Sequence, residues 1–510
     1  MSNYNSVFTQ SIKTKFIDEF INDVASNSSN YYLAFGGSNQ WADDNNPYID
    51  DQNPPIPDGS VTSSHYKVLS NILFGKKVSV SDIAYMAKNI VWKSGTVYDY
   101  YSDTDASLYT KNFFVVNSRG YVYKCLFNNY GAPSTVMPSS TSVQGDFKTA
   151  DGYVWKYMFY ITSINQKKFS TADFIPVNTD PQVLFYSENG AIHIITVQNS
   201  ATGYPNANGN IVSFKSGNPN ILQIQSQGAS SISGEYNTAA IYIYNGTGAG
   251  TYAQIQNYVV NSAGKFVYAG TGTLDVTSQY IISPYVSIVG DGTQAVAYAV
   301  VNNSTTAVDS VQVINRGINY TTAAISLISN VAFTTGTSLV NAIISPPGGH
   351  GSNPRYELGC DTTGLSVAVL SSDNFPISID YRQLSLINNP KAYANSSLFT
   401  APTFSQLTKI NIDNFNILFN SGETVTGSIS GATATVLNSS TTQLVLFNVN
   451  GSFIINETLT GSSTGATCTA SAIILNDWVK NTGEVYYYRN FSPITRNAVS
   501  TEQVKLFFKI

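Results

Sequence analysis

Charge is what this chain has least of. Asp, Glu, Lys and Arg make up 11% of its 510 residues, less than half of the ~25% usual in a soluble domain. The surface must therefore be built from Asn, Ser, Thr, Gln and Tyr. Such a surface has weak fields and suits packing against other proteins. The net charge is −5 and Lys and Arg never run beyond two in a row. A nucleic-acid binder needs a clustered basic footprint to neutralise phosphates, and none is here. No stretch approaches the ~18 to 20 apolar residues of a membrane span. The start, "MSNYNSVFTQSIKTKF", lacks the apolar stretch and cleavage site of a secretory signal. The three cysteines, Cys125, Cys360 and Cys468, are too far apart for a CxxC site or a disulfide framework. A reducing cytoplasm fits best.

Histidine is just as scarce: His65, His193 and His350. No GxSxG elbow is present, and no histidines or cysteines sit at metal-ligand spacing. No residue is singled out as catalytic, cofactor-binding or metal-ligating. "GTGAG" (Gly246–Gly250) resembles a phosphate-binding run. A strand, "TYAQIQNYVV", follows it where a helix N-terminus is required. "SDTD", with Asp103 and Asp105, is the one tidy acidic pair outside a Pro-rich loop and reads as a turn. That loop, Trp41–Ser60, carries Asp43, Asp44, Asp50 and Asp51. Four carboxylates suit Ca²⁺, but the EF-hand spacing is missing, so a solvated loop is the plainer reading.

What is present reads as β. "NFFVVNS", "GYVYKCLF", "GYVWKYMFYI" and "AIHIITVQN" are short, β-branched and aromatic, and bounded by Gly, Asn or Pro. In the third, Tyr153, Trp155, Tyr157 and Phe159 form one aromatic face, expected on a buried layer. His193 falls in the fourth, as a satisfied buried or edge histidine. One N-terminal helix is clear. Phe8, Ile12, Phe16, Phe20 and Val24 recur every fourth residue, with Ile17 and Ile21 beside them. Packing on its own domain is the plainer reading, an exposed docking face the other. A second helix is expected over Val78–Lys93, with N-cap chemistry at Ser81 and Asp82 and a stop at Gly95.

Residues 196–477 are poor in charge and dense in Gly, Ser, Thr, Asn and Val. "FNSGETVTGSISGATAT" from Phe419 returns as "FIINETLTGSSTGATCT" from Phe453. Glu423 matches Glu457, Gly427 matches Gly461 and Gly431 matches Gly465, all at an offset of 34. A duplicated β-hairpin unit follows, neither copy able to bury its apolar face alone. "VQNSATGY" (Val197–Tyr204) and "VINRGINY" (Val313–Tyr320) form a weaker echo.

"PPGGHGSNPRYELG" (Pro346–Gly359) has the look of chemistry: glycines around a histidine, then Arg and Glu. Yet His350 has no visible partner for acid–base work. The prolines stop a strand and the glycines supply backbone conformations closed to other residues, so a rigid turn is the reading.

Five stretches in order resemble one family. They are "FGGSNQW" (Phe35–Trp41), "YVYKCL" (Tyr121–Leu126), "DGYVWKYMF" (Asp151–Phe159), "YRQLSLINNPKAY" (Tyr381–Tyr393) and "GEVYYYRNFSPITR" (Gly483–Arg496). The family is the baseplate wedge protein encoded by gene eight in T4-type contractile-tail phages. "YRNF" departs from the family's usual order near the C-terminus. The resemblance implies a mainly β fold: a sandwich-like core with an N-terminal helix, few other helices, and inserted β-modules. The expected division is family core 1–195, inserted β-domain 196–344, core 345–400, inserted module with the duplicated unit 401–477, and C-terminal core strands 478–510. It further implies a non-enzymatic virion protein assembled in the host cytoplasm, without cofactor. Its implied partners are a second copy, neighbouring wedge proteins and proteins leading to tail fibres, with no nucleic acid and no membrane. Two rival readings share the Gly-rich β-modules. One is a glycan-binding receptor-recognition tail protein. The other is a polysaccharide-degrading tailspike, which needs a close acidic pair.

Overall fold

A computed structural model describes residues 9–26, 29–37, 61–225, 227–370, 373, 375, 380–495 and 501–509. The chain is mainly β, with an N-terminal helix and few others. It divides into two units, one of residues 1–85 and 361–510, the other of residues 86–360. No helix among the described residues is long and apolar enough to cross a membrane.

The first unit is built on a five-stranded sheet in the order Thr403–Ser405, Ile72–Lys77, Tyr31–Gly37, Asp380–Asn388, Glu484–Thr495. Alternation sends Leu33, Phe35, Leu384 and Leu386 to one face. They pack on Leu365, Val367 and Val369 of a second layer, the antiparallel pair Thr362–Val369 and Glu502–Lys509. The other face, with Tyr32, Ala34 and Ile387, lies under Val68 and Leu69 of a helix, Val61–Asn71. The N-terminal helix runs Gln10–Ser26. Ile17 and Val24 are buried, while Ile12 and Phe16 are 41% and 51% exposed. A four-residue spacing drifts by about 40° per step around a 3.6-residue helix, so the stripe starts outside the contact and turns into it. Phe8 lies outside the described residues, as do the loop with Asp43, Asp44, Asp50 and Asp51, residues 38–41 of "FGGSNQW", and Arg496.

The helix expected over Val78–Lys93 does not form. Val80–Asp82 is one 3₁₀ turn, followed by a strand, Ile83–Lys88. The cap chemistry exists: the Ser79 N–H donates to Asp82 Oδ2 (2.9 Å). It closes only that turn. Ile83, Tyr85 and Ala87 on one face are buried, Met86 on the other is buried too, and packing on both faces overrides the helical reading.

The second unit holds a four-stranded sheet in the order Phe114–Val116, Tyr121–Phe127, Val154–Tyr160, Phe147–Lys148. The aromatic face of the third strand is buried, as expected, with Tyr153 and Trp155 fully covered. On the opposite face Lys156 and Met158 are buried too, while Val154 is half-buried and Tyr160 exposed.

Three closed six-stranded barrels complete the chain. One spans 408–474, in the first unit. Its first strand (Thr408–Asp413) pairs with the fourth (Gln443–Asn450) and sixth (Thr467–Ile474). Its second (Thr424–Gly427) pairs with the third (Thr433–Ser439) and fifth (Thr458–Gly461), and the remaining pairs are third–fourth and fifth–sixth. Strands one to three are thus related to four to six by a pseudo-twofold, and the 34-residue repeat is one half of it. The barrel of 192–344 has the same pairing, with Ile192–Asn199 and Val308–Ile318 as first and fourth strands. The weaker echo falls on these two. Its last residues, Tyr204 and Tyr320, are both 5% exposed and both follow a residue with positive φ, Gly203 and Asn319.

The third barrel, 207–283, is inserted between the first and second strands of the 192–344 barrel. Its pairing becomes the same once its first strand, Ala207–Lys215, is moved to the end, which is a circular permutation. Stacked tyrosines, Tyr242–Tyr298 at 4.7 Å and Tyr252–Tyr285 at 5.5 Å, join these two barrels.

Candidate functional site

Among the described residues, buried charge is grouped in two places. The first is the repeat. Glu423 and Glu457 are 6% and 0% exposed. Glu457 accepts from the N–H groups of Ile429 (3.1 Å) and Ser430 (2.9 Å) and from the Ser430 hydroxyl, all in the other copy. Glu423 accepts likewise from Ser463 and Thr464, both N–H groups at 3.1 Å. Each also takes one N–H three residues back, from Ile454 (2.7 Å) or Asn420 (2.6 Å). The matched glycines follow from this. A Cβ on Gly427 would lie 2.5 Å from the Glu457 carboxylate, and one on Gly461 would lie 2.6 Å from that of Glu423. Gly431 and Gly465 close the receiving turns with φ of 65° and 66°, open to glycine without strain. Burial raises the Glu423 carboxyl, but the backbone donors outweigh it and bring it down to about 2; Glu457 is lowered by the same balance.

The second place lies in the second unit, around the histidine turn. Lys124 and Lys156 are cross-strand partners and both are buried. Like charges facing each other across a ladder destabilise it unless each is answered. Lys124 pairs with Glu357, also buried, and lies 4.7 Å from the centre of the Tyr101 ring. Lys156 donates to the carbonyls of Val143 (2.9 Å) and Gly145 (3.0 Å). Burial lowers Lys124, opposed by Glu357, and brings Lys156 down to about 8 with help from Arg316. Glu357 also accepts from the N–H groups of Gly351 (2.8 Å) and Asn353 (3.1 Å). The turn is glycine-built as expected: φ is 94° at Gly349, where a Cβ would strike the Glu188 backbone.

His350 is 1% exposed, and neither ring nitrogen has a hydrogen-bond partner. Its ring sits edge-on to Tyr101 (4.9 Å) and to His193 (4.8 Å). His193 is a buried strand histidine as read, with Nδ1 3.2 Å from Asp146. Asp146 in turn pairs with Arg316. Burial lowers both histidines, His350 further because Lys124, Lys156 and Arg316 surround it without an acceptor. Burial raises Asp146, but His193 and Arg316 bring it below the ordinary carboxylate range. His65 is elsewhere, on the helix Val61–Asn71 with its ring near Tyr488.

This arrangement neutralises charge inside a fold. It ties the four-stranded sheet to the 192–344 barrel and the 346–359 turn. Sequence reasoning found the histidines and missed Lys124, Lys156, Asp146, Arg316 and Glu357. A signal existed for two of them: a lysine in the middle of a strand apolar on both faces needs a buried partner. Among the described residues no group of three or more His, Cys, Asp or Glu can hold a metal. The three cysteines are buried and unpaired with one another. "GTGAG" precedes the strand Tyr252–Asn261, so no helix meets it. "SDTD" is a turn, with Asp105 held by Lys111 and the Ser107 N–H. No protein-family model matches the chain, and no curated protein matches it.

Proposed function

We propose that this chain is a structural component of the baseplate wedge of a contractile phage tail. In this reading it acts as a homodimer and joins neighbouring wedge proteins to the proteins leading to tail fibres. One observation carries it. The five stretches that resemble the wedge family are scattered over the chain, yet their described strand residues fall on neighbouring strands of two sheets, one in each unit. In the first unit Tyr31–Gly37, Asp380–Asn388 and Glu484–Thr495 lie side by side. In the second unit Tyr121–Phe127 pairs with Val154–Tyr160. Motifs that share a sheet are the pattern a common core leaves, with the barrels as elaborations between its strands. The charge-poor, Tyr-rich composition adds support, since interfaces that rearrange must be extensive without being strongly apolar.

Immunogold electron microscopy of intact and contracted virions, with antibody against this chain, tests the proposal. Gold at the baseplate rim in both states is expected. Gold at fibre tips, or none on the particle, overturns it. Light scattering of the purified chain at twice the monomer mass is expected for the dimer.

A further inference from the structure

A cavity of about 480 Å³ opens beside the buried ion pair of the second unit. That is within the ~300–1,000 Å³ of small-ligand sites. Its wall includes Tyr101, Asp103, Asp105, Tyr109, Tyr356 and Glu357. Pro346 and Pro347, from the stretch that looked like chemistry, line the far side.

The key group is Tyr101. It is 5% exposed. Lys124 lies over its ring, and the His350 ring stands perpendicular to it at 4.9 Å. The Tyr101 N–H bonds to the Cys125 carbonyl, and among the described residues no group bonds to its hydroxyl. Tyr101 lines the cavity together with Asp103, Tyr109, Tyr356 and Glu357. A phenol hydroxyl in a cavity wall with no protein partner is left to bond to what the cavity holds.

The wall also says what that ligand is. No Lys, Arg or His lines the cavity, so a phosphate or carboxylate finds no counter-charge. Asp105 is answered by Lys111 and Glu357 by Lys124, leaving Asp103 as the one lining carboxylate without a cation. The field for a cation is therefore weak, while acceptors for hydroxyl groups are plentiful. Tyr109 and Tyr356, half-buried and 6.2 Å apart, offer amphipathic rings for an apolar ring face. From this we propose that the cavity binds a neutral, hydroxyl-rich ring, the pyranose of a free sugar or of a glycan end. Tyr101 donates or accepts at its floor and Asp103 accepts at its mouth. The inference does not rest on the wedge assignment.

The test is titration of the purified full chain by isothermal calorimetry and saturation-transfer NMR. The probes are glucose, galactose, N-acetylglucosamine, maltose and cellobiose, with N-acetyl-lysinamide and inorganic phosphate as charged controls. At least one sugar is expected to bind with Kd of about 1 mM, and neither control to compete. Tyr101→Phe keeps the ring, and Asp103→Asn keeps an acceptor for the Ile344 N–H, so both should fold. Each is expected to weaken binding about 3- to 10-fold. Ala106→Trp, at an exposed position on the wall, should fill the cavity and abolish binding. Tighter binding of a disaccharide than of its monosaccharide points to a glycan end, and equal binding to a free sugar. No sugar binding up to about 20 mM overturns the proposal. So does N-acetyl-lysinamide binding more tightly than every sugar, or sugar binding untouched by all three substitutions.

Discussion

The barrel of 408–474 and the second unit each bury carboxylates, and they solve the problem differently. Glu423 and Glu457 are met by backbone N–H groups and hydroxyls of the opposite repeat, with no cation. Glu357 is met by Lys124, from a strand far away in sequence, as well as by two backbone N–H groups. In the barrel the carboxylate is a clasp. It needs only a glycine-closed turn opposite it, and a duplication supplies both halves at once. In the second unit the carboxylate and the lysine justify each other, because either alone would be an uncompensated buried charge. A dipole-based site is therefore written locally and twice. An ion-pair site is written once, in two unrelated places.

The sharpest way to break the comparison is Lys124→Met. It strands Glu357, and the second unit should lose about 3–5 kcal/mol in urea unfolding. Adding Glu357→Gln should restore part of that loss. A double variant less stable than the single one would mean that the two groups are not a coupled pair. Next come Glu423→Gln and Glu457→Gln. Each loses charge-assisted bonds, and each should cost the barrel about 2–3 kcal/mol. Because the clasps are pseudo-symmetric, the two losses should agree to within about 1 kcal/mol. Strongly unequal losses, read from hydrogen exchange in 408–474, would end the equivalence.

Acid sharpens the same point. Glu423 titrates near 2 in the fold against an ordinary 4.5. The unfolded chain binds the extra proton between those values, so the clasp's contribution is full above about pH 4.5. It is lost as pH falls through about 2. Glu423→Gln should flatten that slope in a pH series of barrel stability. The smallest effect is expected at His350. Both ring nitrogens lack partners, so His350→Leu leaves none behind and should change stability by no more than about 1 kcal/mol. On the wedge proposal, infectivity of virions carrying it should be intact; a loss with normal assembly would count against a purely structural role for this turn.

The legible parts of the molecule are those where neighbours in sequence are neighbours in space. Alternation in "GYVWKYMFYI" placed its aromatic face inward, and Tyr153 and Trp155 are fully covered. It said nothing of the opposite face, where Lys156 is buried against carbonyls of 143 and 145. Ser81 and Asp82 pointed to a helix cap, yet residues 79–82 close only one turn before a strand whose partners lie outside the window. The 34-residue echo pointed to packed copies; the closed barrel and the exchange of glutamates between copies needed the pairing of distant strands. The cavity beside Tyr101 draws on segments around 105, 190, 320 and 346, and no local pattern joins them.

Composition, alternation and repetition by themselves determined a charge-poor, mainly β chain with an N-terminal helix, cysteines not spaced for a disulfide framework and a duplicated Glu–Gly–Gly unit. Each of these is a local or statistical property, set by side-chain period, turn chemistry and the lack of charged residues. Only the tertiary structure decided that three segments close as barrels of one strand pairing, one of them permuted and inserted into another. Only it decided which buried charges find partners. Strand closure and ion pairing both depend on which distant segments meet, and that is fixed by the burial of every face together rather than by any one stretch of sequence.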